Sequence, residues 1–392
     1  MKLKSTNFAY ICFMQFPKKL EDKLNHRKVN NALRTLKNQN NLIDFSSNDY
    51  LGFAKNHTIF DNAHYYLTGH NIKQNGATGS RLLSGNHSLY PVVESILTNV
   101  HNSEAALIFN SGYNANVGFF SSVPQKDDII IYDELSHASI RDGIALSHAK
   151  AYKFKHNNLE HLSEMLKRVQ HDNDTYVVTE SVFSMDGDSP ELVKLSELCR
   201  KHNAYLVVDE AHAVGVFGNN GEGLVQHLKL ENYVFARLAT FGKALGCHGA
   251  AILGNEQLKQ YLINFSRSFI YTTGLPPHAL ATIQSAYSEM SVTDQRRKLL
   301  QNIVYFKNGI LNNKLHDVFI ESHSAIHCCI ISGNENVKFI SEKLQSKGFD
   351  VKPILSPTVP DGQERLRFCL HSYNSEKEIM EVLALLGTFV KA

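Results

Sequence analysis

The chain lacks a charge excess: Lys and Arg total 40 against 38 for Asp and Glu in 392 residues. With no basic stripe, it offers neither nucleic acid nor an anionic membrane surface a foothold, and neither partner is expected. No apolar run approaches the roughly 20 residues of a membrane span. The six cysteines (Cys12, Cys199, Cys247, Cys328, Cys329, Cys369) form no C-x-x-C pair and no regular framework, so reduced thiols in a cytoplasmic protein are expected. Twenty histidines include no H-E-x-x-H or similar ligand spacing, and no metal site is expected. Repeats and low-complexity tracts are missing too. The opening "MKLKSTNFAYICFMQFPKK" has only a short apolar part, broken by Gln15, and no small-residue cleavage site. It reads as an extension leading into a helix rather than a signal peptide.

What is present is an ordinary globular balance, 43% hydrophobic and 20% charged. The length exceeds one small core and predicts a large domain with a smaller one. Leu20, Leu24, Val29, Leu33 and Leu36 recur at helical spacing and predict a helix near residues 18–37. Short apolar runs then alternate with helical patterns. "AALIFN" (105–110), "DIIIYD" (128–133), "AYKFKH" (151–156), "TYVVTES" (175–181), "AYLVVDEA" (204–211), "YVFARLATF" (233–241) and "GAAILG" (249–254) read as strands. Such alternation implies an α/β domain with a mostly parallel sheet covered on both faces. Between the last two strands there is no room for a crossover helix, so one of them should run antiparallel. Beyond about residue 293 the pattern becomes α+β. The expected division is an N-terminal helix and extension over 1–59, a large α/β domain over 60–290 and a small α+β domain over 291–392.

Ligands of open α/β sheets bind outside the carboxyl ends of the strands. The predicted ends carry Ser111-Gly112-Tyr113-Asn114, Ser136-His137, Ser184 within "VFSMDG", Asp209 with His212, and Lys243. Each alone reads as an ordinary cap, turn or packed histidine. Together they place an acid, two imidazoles, hydroxyls, a glycine turn and one amine at neighbouring strand ends. No G-x-S-x-G elbow, phosphate-binding G-x-x-x-x-G-K-[ST] or dinucleotide G-x-G-x-x-G accompanies them. An amine among small apolar residues, "TFGKALGCHGAAI", has a lowered pKa and suits a Schiff base with a carbonyl. Pyridoxal phosphate accounts for the rest. Asp209 would keep its ring nitrogen protonated, Gly112, Tyr113 and Thr240 would hold its phosphate, and His137 would stack on its ring.

Eight collinear segments carry a family resemblance: "DFSSNDYLGF", "GATGSRLLSGNHSLYPVVE", "FNSGYNANVG", "DELSHASIRDG", "ESVFSMDGD", "VVDEAHAVGVFG", "TFGKALGCHGAAI" and "PTVPDGQERLRF". From about residue 20 to the end the chain resembles the α-oxoamine synthases, fold-type I pyridoxal-phosphate enzymes that condense an amino acid with an acyl thioester and release carbon dioxide. The resemblance implies that Lys243 carries the cofactor and takes the Cα proton. Asp209 would pair with the pyridinium nitrogen, His212 with the phenolic oxygen, and Ser184 would lie beside that oxygen. Asn48 and Arg367 match positions that bind the amino-acid carboxylate. "YTTGLPP" implies a homodimer with a shared active site, in which Thr272 or Thr273 reaches the phosphate in the partner subunit.

The lysine segment is most similar to members that use L-alanine and a pimeloyl thioester, carried on coenzyme A or an acyl-carrier protein. Glycine with acetyl-coenzyme A is the alternative, and a non-catalytic subunit of the same fold the remote one. Some pimeloyl-using members carry an arginine shortly before the Pro-Thr-Val-Pro stretch, where this chain has Leu355–Ser356. Arg34 is then the candidate for the distal carboxylate.

Overall fold

The computed structural model describes residues 16–36, 41–169 and 173–391. The opening stretch with Cys12 and the expected end of the first helix at residue 37 lie outside them.

The strands, in chain order, are β1 (Ile43–Asp44), β2 (Ala105–Phe109), β3 (Ile129–Asp133), β4 (Lys150–Phe154), β5 (Thr175–Glu180), β6 (Tyr205–Asp209), β7 (Ala236–Thr240), β8 (Ala250–Gly254), β9 (Ile326–Ile330), β10 (Phe349–Asp350), β11 (Lys352–Ile354) and β12 (Arg365–Cys369). Seven of them form one sheet in the order β2-β8-β7-β6-β5-β3-β4. Pairing is parallel from β4 through β7, while β8 runs antiparallel to both β7 and β2. The short connection from β7 to β8 has this consequence: without a crossover helix the chain must turn straight back. Strands β2 and β8 are apolar nearly throughout and β5 is buried along its whole length, because helices cover both faces at the middle of the sheet.

A smaller sheet, β11-β12-β9, is antiparallel; the helix Asn334–Ser346 packs on β11 and β12, and Phe306 of the helix Gln295–Asn312 meets His327 of β9 and Phe368 of β12. Strand β1 pairs with β10 in parallel, Ile43 opposite Phe349. The segment leading to the large sheet is therefore tied to the C-terminal part of the fold. Phe45, Phe349 and Phe368 meet there in a buried aromatic group.

One expectation needs correction. The first helix covers Lys18–Val29 and stops, with Asn31 in the left-handed region at φ 47°. None of its side chains is buried, and Leu20, Leu24 and Val29 are exposed. The apolar stripe is real, but among the described residues nothing buries it, and a left-handed Asn is a ready stop.

Candidate active site

Strands β3, β5, β6 and β7 point their carboxyl ends to one side of the sheet, ending at Asp133, Glu180, Asp209 and Thr240. A cavity of about 260 Å³ opens there. Asn48, Gly112, His137, Asp209, Thr240 and Lys243 line it, as do Tyr113 and His212. Eight sequence-predicted residues thus converge from five separate stretches of chain.

Asp209 is buried, and its carboxylate is aimed by two donors. Asn116 Nδ2 donates to Oδ2 at 2.8 Å and the Ala211 N–H to Oδ1 at 2.9 Å. His137 caps the helix Ala138–Ala145: its Nδ1 accepts from the Ser139 N–H and lies 2.7 Å from Ser139 Oγ. Burial lowers the His137 pKa, with Asp209 opposing and Lys243 adding to the shift. A neutral, flat ring results. His212 is pushed well below the ordinary range by burial, then by the charges of Lys243 and Arg367. Its Nδ1 lies 2.6 Å from the Tyr50 hydroxyl, itself 3.2 Å from Asn48 Oδ1.

Burial also lowers Lys243, to about 8, against the opposing pull of Asp209 and Glu180. That brings a usable fraction of free amine to neutral pH, which an exposed lysine near ~10.4 lacks. The loop around it is held by close backbone approach. Gly246 has φ +61°, and a Cβ there would lie 2.2 Å from the Ala54 nitrogen. Gly246→Ala should therefore cost about 2–4 kcal/mol, from left-handed strain plus a clash with rigid backbone. Urea unfolding would read this as a lower midpoint at unchanged slope.

Gly112 and Tyr113, expected on the phosphate side, open the helix Gly112–Phe120, capped by Ser111, and Thr240 ends β7 beside it. Its free N–H groups and dipole favour an anion. A Cβ on Gly112 would come within 2.6 Å of Thr240 Cγ2, so glycine is what lets the helix start meet the end of β7. An amine of lowered pKa, an aimed carboxylate, a neutral ring and an anion-binding helix start are the donor set that pyridoxal phosphate requires, and they fit it.

Arg367 projects from β12 of the smaller sheet toward the same place. Its Nη2 donates to Asn48 Oδ1 at 3.0 Å and its Nε to the Ser184 carbonyl at 2.7 Å. Ser184 thus meets the site through its backbone and does not line the cavity. Thr272 and Thr273 do not line it either; the Thr273 carbonyl accepts from Asn110 Nδ2 at 2.6 Å. Arg34 lies elsewhere. It donates to Thr358 Oγ1 at 3.3 Å and borders a separate cavity of about 1410 Å³, together with Leu355.

Sequence reading missed Glu180, Asn116 and Tyr50. Glu180 is buried, lines the cavity and accepts the His137 N–H at 2.6 Å. Burial, then the neighbouring Asp209 charge, pushes it up to about 8. All three lie inside the family-like segments. The available signal was a lone glutamate closing the apolar strand "TYVVTE".

Residues 40–386 match the family described as aminotransferase class I and II. An 8-amino-7-oxononanoate synthase of Emericella nidulans is 38% identical over 400 residues, spanning 95% of this chain and 93% of that relative. Among solved structures, the serine palmitoyltransferase of S. paucimobilis with a bound PLP–myriocin aldimine has a TM-score of 0.88 at 25% identity, over 96% of this chain and 99% of that one. The 8-amino-7-oxononanoate synthase of Francisella tularensis gives 0.76 at 30% identity, over 89% and 98%.

Proposed function

The chain belongs to the class I and II aminotransferase family and, within it, to the α-oxoamine synthases, and from that premise we propose the reaction it performs. It is a pyridoxal-phosphate-dependent acyltransferase that condenses L-alanine with a pimeloyl thioester, giving 8-amino-7-oxononanoate and carbon dioxide in biotin biosynthesis. The observation that supports the chemistry best is the placing of Lys243, with its lowered pKa, in one cavity with the buried Asp209. Similarity to 8-amino-7-oxononanoate synthases over nearly the whole chain supports the substrates.

When bound, pyridoxal phosphate supplies an electron sink for the pair left by a bond broken at the amino acid's Cα. Lys243 would hold the cofactor, and its Nζ is the base that would take the Cα proton. Asp209 keeps a negative charge beside the ring nitrogen, with Asn116 and the Ala211 N–H fixing its direction. His137 would cover the ring face and His212 would bond the ring oxygen, while Ser184 serves through the carbonyl that holds Arg367. Gly112, Tyr113 and Thr240 take the phosphate. Arg367 and Asn48 grip the amino-acid carboxylate, a task for which a planar guanidinium is shaped.

The working form is a homodimer in which Thr272 or Thr273 reaches the phosphate of the partner's site. Among the described residues no helix is long and apolar enough to cross a membrane, and the cytoplasm is the proposed compartment. Arg34, beside Leu355 on the larger cavity, is the proposed contact for the distal carboxylate of the acyl chain.

The test is product identification by mass spectrometry. L-Alanine with pimeloyl-coenzyme A or pimeloyl-acyl-carrier protein should give 8-amino-7-oxononanoate and one equivalent of carbon dioxide. Turnover of glycine with acetyl-coenzyme A alone would replace this reading with the acetyl-transferring one.

A further inference from the structure

Arg367 can grip a carboxylate only if something fixes its guanidinium, and that support comes from the loop after β5. Its Nε donates to the Ser184 carbonyl, and Arg365 Nη1 donates to the Met185 carbonyl at 3.3 Å. The loop turns back on itself: Phe183 N–H donates to the Asp188 carbonyl at 3.0 Å, and Gly187 N–H to the Phe183 carbonyl at 2.8 Å. Gly187 has φ +80° and no room for a Cβ, which would lie 2.1 Å from the Ile326 carbonyl. Ser322 and Ser324 both donate to the Gly187 carbonyl at 2.8 Å.

What anchors this loop to the large sheet is His156, which follows β4. Its Nδ1 donates to Asp133 Oδ1 at 2.9 Å and its Nε2 to Asp188 Oδ2 at 2.8 Å. Only the doubly protonated ring donates from both nitrogens. It stands perpendicular to the Phe183 ring, with the ring centroids 4.5 Å apart. Asn157 adds a bond from Nδ2 to Asp188 Oδ2 at 2.6 Å. The charged groups facing this ring are Asp133 at the end of β3, Glu134, which accepts the His156 N–H, and Asp188 and Asp186 on the loop. Arg365 of β12 pairs with Asp186.

We propose that His156 is a positioning residue for substrate: clamped between Asp133 and Asp188, it seats the 183–188 loop so that the Ser184 carbonyl aims Arg367 at the amino-acid carboxylate. The inference rests on the reading of Arg367 as the carboxylate grip. Burial alone would lower the His156 pKa, but the two carboxylate hydrogen bonds and their charges outweigh it and raise it to about 9. A raised histidine pKa means the clamp is complete below ~6.5, the unfolded value, and is lost as pH climbs through about 9.

The holoenzyme would be assayed from pH 7 to 10, with the amino-acid dissociation constant read from the change in cofactor absorbance and kcat from product. In the natural protein that constant should rise as pH passes about 9. His156→Gln should raise it about tenfold at pH 7.5, remove its alkaline limb and change kcat less than about threefold. Asp188→Asn removes one of the two supporting charges and should shift the alkaline limb toward neutral pH. It carries the test alone if the His156 variant does not fold. An unchanged dissociation constant and unchanged pH limb in both variants overturns the proposal. Arg367→Gln, run in parallel, should weaken amino-acid binding whatever His156 does. If it does not, the carboxylate reading itself fails, and the positioning role falls with it.

Discussion

Lys243→Ala should abolish condensation, with a rate loss of at least about 10²–10⁴-fold, the range for removing one positioned proton-transfer group. The expected loss is larger still if the same side chain also carries the cofactor. In the natural protein, borohydride should fix the cofactor covalently to the Lys243 peptide. In the variant it should leave the cofactor removable on denaturation. The fold should survive, because Lys243 is only partly buried and its loop is held by backbone bonds, Gly246 N–H to the Lys243 carbonyl at 2.8 Å and Cys247 N–H to the Phe241 carbonyl at 2.7 Å. One further effect separates charge from attachment. Lys243 is among the groups that hold the Glu180 pKa down, so its removal should push Glu180 higher. A variant that retains activity within about tenfold, or still yields a borohydride-fixed peptide, would remove the basis of the mechanism.

The middle of the large sheet was readable in the sequence because burial on both faces leaves mostly apolar runs, and the β7–β8 turn was too short to hide a helix; the exposed edge strand β4 carries no such run. The clustered site residues were readable for a related reason, since the sheet's geometry delivers every parallel strand's carboxyl end to the same side. Less readable were groups whose role comes from across the fold. Asn116 sits mid-helix, where its type is unremarkable, and matters only because that helix faces Asp209. His156 lies in "KFKHNNLEHL", a stretch with nothing unusual in composition. Its two carboxylate partners are 23 and 32 positions away. The first helix was overextended for the opposite reason. Its apolar spacing continues past Val29, but spacing cannot say whether a surface exists to receive it.

Asp209→Asn should lower kcat by about 10²–10³-fold, the loss expected when one preorganised charge is removed from a low-dielectric site. The cofactor should also bind about ten to a hundred times more weakly, since a hydrogen bond to a charged group is worth roughly 1.5–3 kcal/mol. The substitution keeps the shape, and the new amide oxygen can still accept the Ala211 N–H. Its nitrogen would face Asn116 Nδ2, donor against donor. Asn116 can then flip its amide so that Oδ1 accepts from the new nitrogen, but Ser139 Oγ is left with one hydrogen for two acceptors, Asn116 Oδ1 at its present 3.0 Å contact and His137 Nδ1 at 2.7 Å. All but one of the polar contacts can be remade around a neutral group, and a modest stability change with a large activity loss is the expected combination. Thermal unfolding of the apoprotein and fluorescence titration with pyridoxal phosphate would measure the two separately. The neighbours give an independent reading. Asp209 raises Glu180 and opposes the lowering of Lys243, so both should titrate at lower pH in the variant. A variant as active as the natural protein to within about tenfold would mean that the buried charge is structural and that the ring nitrogen is held by some other group.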